Sequence, residues 1–534
     1  MSVQTRPPKK LISAIMADIL ANPIISARAI DETTRKHLNG TKFRYPKSSE
    51  LIAVYRETKT IRPEIEKLLR VKQVRTDSGV APITVLTKPY PCPGKCVYCP
   101  TEVRMPKSYV ASEPAAARAL SLHFDPYDQV AKRVQMLERN GHEAKKIELI
   151  VKGGTWSAYP WPYRVWFIKR CFDAANHLNQ KKLVRYHSLA QSQKANESAD
   201  YRIIGITLET RPDWITPKEI ARLRELGCTR IELGVQAIDD HILKTVNRGH
   251  IVQDVVRATA LLKAVGFKLD YHFMPGLPGS NAKKDIQMFA QLFTDPRFCP
   301  DMVKLYPCVV LPSTELIDWY HQGKFKPLEG EALIDAMVQM KSMIPHYCRL
   351  SRLVRDFPAN EITGGNKTSN LRDVIKERMR QQNLKCRCLR CREAGHRPLL
   401  DKKTNIKLFT DIYDNAGGKE YFLSAEDPKR TTVLSFLRLR LPNQVPIESD
   451  KKTDLALKEL KKVIPEIRDA AFVRELHTYG QALRIGQEKQ EAVQHKGWGR
   501  KLMEEAERIA KAKGYKYLVV ISGVGVRGYY RMLG

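Results

Sequence analysis

From residue 81 to about 345 short apolar runs alternate with amphipathic stretches. The runs at 83–87, 147–152, 202–208, 230–235, 269–273 and 303–310 read as strands. The stretches at 114–140, 217–226 and 252–265 carry apolar residues at helical spacing. Strands that are apolar almost throughout must be covered on both faces, which calls for a parallel sheet with helical crossovers. The pattern therefore predicts an α/β fold, a partial (β/α)6 barrel whose chemistry gathers at the C-terminal ends of its strands. Before it, Leu11, Ile15 and Ile19, then Ile61, Ile65, Leu68 and Leu69, mark short amphipathic helices. After residue 400, strand-like runs at 406–413, 421–423, 433–441 and 471–477, with a Gly417-Gly418 turn, predict an antiparallel sheet. The expected divisions are an N-terminal arm (1–80), the barrel (81–345), a connector (346–400) and an α+β domain (401–534).

Charge changes this picture first. The chain of 534 residues has a formal net charge of +33. Such an excess points to a polyanionic partner, nucleic acid above all. Residues 1–80 hold sixteen Lys/Arg against eight Asp/Glu, and 372–403 hold eleven against four, net +8 and +7 by subtraction. The arm is expected to meet phosphates without reading sequence. No run of about 18 apolar residues offers a membrane span. The N-terminus lacks a long apolar signal core. Eleven cysteines, six of them in two tight clusters, read as metal ligands in a reducing cytoplasm.

The first cluster is Cys92, Cys96 and Cys99, on a loop leaving the first predicted strand. Thiolates suit zinc or iron–sulfur clusters. Three on one tight loop can hold three irons of a [4Fe–4S] cube and leave the fourth open, whereas the usual sites take four cysteines. This C-x3-C-x2-C pattern resembles that of radical S-adenosylmethionine (SAM) enzymes. Residues at the later strand ends suit a cofactor. Gly153 and Gly154 let backbone approach a ligand, Glu209 could accept hydrogen bonds from a ribose or ammonium group, and Gln236 closes the fourth strand. The second cluster, Cys386, Cys388 and Cys391, has spacing for a structural zinc, with His396 or Cys308 as fourth ligand.

The C-terminal domain carries Gln494-x-x-Gly497-Trp498-Gly499-Arg500 opening a helix through Ala512. Bare N–H groups at a helix N-terminus bind pyrophosphate, and between two strands this resembles the loop of GNAT-type acyl-CoA enzymes. Gly523-x-Gly525-x-x-Gly528 matches a dinucleotide fingerprint, but no acidic residue follows about twenty positions on. That reading is rejected. Tyr529 and Tyr530 stand where GNAT enzymes often keep an acid near the departing thiolate.

Together with Leu-Glu-Thr-Arg-Pro-Asp from Leu208, Met-Pro-Gly-Leu-Pro-Gly from Met274 and Leu-Met-Glu-Glu-Ala-Glu from Leu502, these motifs resemble the family of Elongator catalytic subunits, most closely its single-chain archaeal and bacterial forms. The resemblance covers 81–534, with the compact spacing of the first two cysteines. It implies an enzyme of tRNA wobble-uridine modification. SAM on the open iron would yield a 5′-deoxyadenosyl radical, which would take hydrogen from acetyl-CoA; the carbon radical would add to C5 of uridine, and thioester hydrolysis would leave carboxymethyluridine. Acetyl-CoA would touch Glu475, Leu476, His477, Thr478, Trp498, Gly499, Arg500 and Tyr530, with Lys146 ahead of the second barrel strand. The implied partners are the tRNA anticodon stem-loop, acetyl-CoA and an electron donor; whether the chain dimerises is left open. GNAT folds add a final strand after the point reached at Gly534.

Three other readings compete. A protein lysine acetyltransferase with a structural iron–sulfur part explains 494–500 but leaves the strand ends idle, and Glu475 and His477 are its available bases. An acetyl-CoA-sensing tRNA scaffold predicts no product nucleoside. A methylthiotransferase needs a second cluster at Cys386–Cys391.

Overall fold

The computed structural model describes residues 5–58, 60, 62–71, 79–394, 405–443, 450–479 and 497–534. Seven strands form a parallel sheet whose spatial order is the chain order: β1 (Ala81–Leu86), β2 (Lys146–Lys152), β3 (Arg202–Thr210), β4 (Arg230–Gln236), β5 (Lys268–Phe273), β6 (Met302–Leu305) and β7 (Arg349–Arg352). β1 and β7 remain edges, so the sheet is a curled partial barrel. The six expected strands are present. The seventh has charged ends and four residues, too short to show as an apolar run. β6 stops at Leu305, two residues ahead of Pro307, which cannot donate to a ladder. The stretch 114–140 is two helices, Pro114–Ser121 and Pro126–Arg139. Pro126 disfavours helix at the residue before it and starts the second helix well, and His123 and Phe124 turn through positive φ between the two.

Within the barrel strands the two faces differ. Ile231, Leu233, Leu269, Tyr271 and Phe273 are buried in the large apolar core. Their alternating neighbours Arg230, Glu232, Lys268, Asp270 and His272 face the other way. A barrel interior is ordinarily filled by branched apolar side chains; here it is charged.

The second sheet runs β12-β11-β10-β9-β8, with β8 (Lys407–Asn415), β9 (Gly418–Glu426), β10 (Val433–Pro442), β11 (Ala470–Thr478) and β12 (Tyr517–Val520). The first four strands are antiparallel, as the pattern predicts, and β12 adds in parallel to make a mixed sheet. β11 and β12 pair from Ala470↔Tyr517 to Val473↔Val520, after which β11 runs on to Thr478 with no strand partner on that side among the described residues. A register shift at Arg438/Leu439 kinks the β10–β11 pair near the same point. The helix Trp498–Ala512 covers the outer face with Leu502, Met503, Ala506 and Ile509.

This domain docks on the N-terminal ends of the barrel strands. A Cβ at Gly523 would collide with the Ile204 carbonyl, and one at Gly525 would lie 2.5 Å from Arg202 Cβ. The glycine pattern that imitates a dinucleotide fingerprint therefore admits close packing on β3. Asp301, fully buried ahead of β6, takes both carboxylate oxygens to Lys263 Nζ at 3.0 Å and one to Arg474 Nη1 at 2.8 Å. Glu420 meets Arg440 and Arg474 at 3.0 Å. The N-terminal helices Lys9–Ala21, Ala27–Leu38, Ser48–Tyr55 and Pro63–Leu69 enclose their own core of Ile12, Ile15, Met16, Ile19, Ile52 and Ile65. Arg56 and Arg70 tie this arm to the barrel by donating to the carbonyls of Glu138 and Gly141, each at 2.9 Å. Among the described residues no helix is long and apolar enough to cross a membrane.

Candidate functional site

The cysteine loop leaves β1 and is pinned across the C-terminal face of the barrel. Val97 N donates to Val246 O at 3.2 Å and Leu316 N to Val97 O at 3.0 Å. Cys92 Sγ lies 3.6 Å from Thr155 Oγ1, in the loop after β2. Gly153, with φ 144°, abuts Thr87 so closely that a Cβ would overlap the threonine hydroxyl. The Tyr159 hydroxyl bonds Thr87 Oγ1 at 2.7 Å, Lys88 O at 2.8 Å and Gly153 O at 3.1 Å, fixing both loops to each other.

Two buried guanidinium groups underlie the thiols. Arg248 Nη1 donates to Cys96 Sγ at 3.5 Å. Arg211 is held by Asp213 at 2.9 Å, while its buried Nη1 has no partner and lies 2.5 Å from where a Gly94 Cβ would stand. Burial pushes the Cys96 thiol up, but Arg248 outweighs it and leaves the thiol below its usual value. Burial pushes Cys99 up to about 12, with Cys96 adding to the effect. Gln236 Oε1 is also buried without a partner.

Sulfur spacing separates the two cysteine clusters. A single zinc with bonds of about 2.3 Å holds its sulfurs about 3.8 Å apart. The Cys386, Cys388 and Cys391 sulfurs lie within 4.8 Å of one another and suit one ion. Cys92, Cys96 and Cys99 are not among the described groups that close to that distance. Cys308 is buried but stands outside the compact group, and His396 lies outside the described residues.

Glu209 sits in a network that strand reading missed. Lys152 Nζ donates to Glu209 at 2.8 Å and also reaches Glu232. His272 approaches Glu232 at 2.8 Å through Nε2 and Glu209 at 3.5 Å through Nδ1. Lys304 pairs with Glu232. Burial would raise Glu209 and Glu232, but Lys152 leads the charges that hold both below the usual range. Burial lowers Lys304 to about 8 and raises Asp270. The sequence signal was the alternation of polar with apolar residues, Arg230 and Glu232 on the fourth strand and Lys268, Asp270 and His272 on the fifth.

At the other end of the barrel, Gly497 turns through φ 88° to begin the helix Trp498–Ala512. A Cβ at Gly499 would lie 3.0 Å from Tyr529 Oη, 3.8 Å from Thr478 Oγ1 and 3.9 Å from Leu476 Cδ2. The helix start, the free end of β11 and the tyrosine pair thus meet. Leu476 and Tyr530 belong to one apolar cluster, and burial pushes both tyrosine hydroxyls up. Arg500 opposes the rise at Tyr529. Gln494 lies outside the described residues. Two of the residues expected to touch acetyl-CoA turn their side chains toward the barrel. The Glu475 carboxylate pairs with Arg438 at 2.9 Å and Lys268 at 3.1 Å, facing the barrel. Burial would raise this carboxyl, but those cations hold it well below the usual range. His477 is enclosed between Phe436 and Tyr479, with Nε2 buried and unpartnered, and burial lowers its pKa. Lys146 opens β2 in register with Arg202, at the docked end of the barrel, and burial lowers it too.

The chain is similar to known proteins over most of its length. The radical SAM superfamily profile matches residues 86–293, and the radical SAM C-terminal domain matches 300–381. The chain is 44% identical over 504 residues to the tRNA uridine(34) acetyltransferase of Methanocaldococcus infernus, covering 92% of this chain and 90% of that protein. It is 35% identical to Elongator complex protein 3 of Schizosaccharomyces pombe, covering 98% and 96%. The solved structure of an N-terminally truncated archaeal Elp3 from M. infernus superposes with a TM-score of 0.70 at 41% identity, covering 85% of this chain and 96% of that one.

Proposed function

The chain belongs to the radical SAM family of tRNA uridine(34) acetyltransferases and Elongator catalytic subunits, and on that premise we propose that it carboxymethylates C5 of the wobble uridine of tRNA, using SAM and acetyl-CoA. One observation carries the reading. A three-thiol loop at one end of the barrel and a splayed β11–β12 pair with a glycine-led helix start at the other belong to one basic chain.

Cys92, Cys96 and Cys99 would hold a [4Fe–4S] cluster, which with SAM supplies one-electron chemistry and a hydrogen-abstracting carbon radical. Gly153 and Gly154 leave room for the amino-acid part of that ligand, and the unpartnered Gln236 Oε1 and Arg211 Nη1 offer it an acceptor and a cation. Glu209, already anionic, would accept from a ribose or ammonium group. Gly497, Gly499 and Arg500 would receive the pyrophosphate of acetyl-CoA at a helix N-terminus. The free backbone of Leu476 to Thr478 would align its pantetheine arm, and Leu476 with Tyr530 would keep the thioester in an apolar setting. Cys386, Cys388 and Cys391 would bind a structural zinc, and the basic arm would meet tRNA phosphates.

A protein lysine acetyltransferase is less well supported. Glu475 is committed to two cations and His477 is enclosed by rings, so neither of that reading's bases is free to take a lysine proton.

Anaerobic incubation of the reconstituted protein with SAM, dithionite, acetyl-CoA and tRNA, followed by mass spectrometry of digested nucleosides, tests the proposal. Carboxymethyluridine with 5′-deoxyadenosine is expected. Acetylated lysine peptides without deoxyadenosine would overturn it.

A further inference from the structure

Beside the cysteine loop lies an aromatic ladder whose outer rings neither cofactor site uses. Tyr90, two residues before Cys92, stands 4.8 Å from Tyr159 between ring centroids. Tyr159 stacks on Tyr163 at 5.3 Å, and Tyr163 meets Trp166 at 5.6 Å. The inner rings are tied down, since Tyr159 bonds Thr87 and Lys88, and the Tyr163 hydroxyl accepts from Lys88 N at 3.1 Å. The end rings are not covered: Tyr90 is 37% and Trp166 42% exposed. Lys88, itself exposed, places its ammonium 5.2 Å from the Tyr163 ring centroid. One helical turn beyond Trp166, Arg170 lies over Tyr127 at 4.6 Å and pairs with Asp125 at 3.5 Å, so Lys88 is the nearer cation for a phosphate.

Burying two large rings at the ends of an ordered stack would stabilise the fold more than leaving them in water. Their exposure beside cations matches what unpaired nucleotides require: flat faces for bases and positive charge for the phosphates between them. A protein partner would be served by the rings alone. A base-paired helix would be served by the charges alone, because its faces are already stacked. The chain's net charge of +33 favours the polyanion.

We propose that Tyr90 and Trp166 are a stacking platform for unpaired bases of the tRNA anticodon loop, steering that loop to the cysteine face of the barrel. This rests on the tRNA reading above and assigns its loop-binding residues.

The test uses the full-length protein and two synthetic RNAs, a hairpin with 2-aminopurine in its unpaired loop and a fully paired duplex of the same composition. Wild type is expected to bind the hairpin with a change in 2-aminopurine fluorescence. Tyr90→Ala and Trp166→Ala should each weaken hairpin binding at least about fivefold, the low end of what one stacked base contributes, and leave duplex binding unchanged. Trp166→Phe, which keeps a ring, should keep most of the affinity and the fluorescence change. Hairpin affinity and fluorescence unaltered in both alanine variants would overturn the platform while leaving the tRNA reading intact. Equal loss on hairpin and duplex would also overturn it, showing a general electrostatic or folding effect. Failure of wild type to bind either RNA would overturn the tRNA reading itself.

Discussion

Gly153 is a position where one added methyl group has nowhere to go. Its φ of 144° and its contact with Thr87 leave no room for a Cβ. Strain of this kind costs about 1–3 kcal/mol, and each 1.36 kcal/mol lost from a barrier is about tenfold in rate. Gly153→Ala is expected to keep the iron–sulfur absorbance and lose about tenfold or more in SAM cleavage, measured as deoxyadenosine released. Lys152 presents the opposite case, a charge whose removal weakens a network. Lys152→Met leaves Glu209 with His272 and Glu232 with His272 and Lys304, so the loss should fall below the about 3–5 kcal/mol of a fully broken buried pair. Chemical denaturation should show that loss, with a smaller one for Lys152→Arg. At this scale the sequence made the thiols, the glycines and Glu209 legible because their spacing is unusual. Lys152, Glu232, His272 and Lys304 were not legible as a site. A charged residue inside an apolar run reads as a strand position, and parallel register across five strands is needed to see them meet.

Elements were read more easily than their ends. Six barrel strands and the four antiparallel strands follow from apolar patterning. β7 did not, because Arg349 and Arg352 bound a four-residue strand stabilised by its neighbour rather than by its own composition. The direction in which Glu475 and His477 point was hidden for a related reason. The register shift at Arg438/Leu439 sends both toward the barrel, and nothing in the local sequence announces it. Two glycines test the element scale. Gly497→Ala places a Cβ at φ 88° at the head of the helix Trp498–Ala512, costing about 1–2 kcal/mol. On the proposed chemistry it should raise the KM for acetyl-CoA and leave SAM cleavage alone. Gly523→Ala drives a methyl group into the β3 backbone, and limited proteolysis should then cut the C-terminal segment faster.

For the whole molecule, the buried charges between the two sheets make docking an electrostatic matter. Burial alone would raise the Asp301 carboxyl, but Arg474 and Lys263 outweigh it and hold the group well below its usual range. A lowered carboxyl stabilises fully above its unfolded pKa of about 3.9 and loses that contribution as pH falls toward the folded value. Asp301→Asn should cost about 3–5 kcal/mol near neutrality. Its stability should also fall less steeply than wild type below about pH 4, as followed by denaturant titration. This docking was invisible in the sequence, since an interface between distant segments leaves no periodic trace. It has a consequence for the chemistry. β5 alone is six residues long, about 20 Å at strand rise, and the cysteine loop and the docked domain stand at opposite ends of such strands. On the proposed chemistry the radical must meet the acetyl group, so a thioester held at one end of the barrel would have to be delivered to the other, and turnover would depend on that delivery.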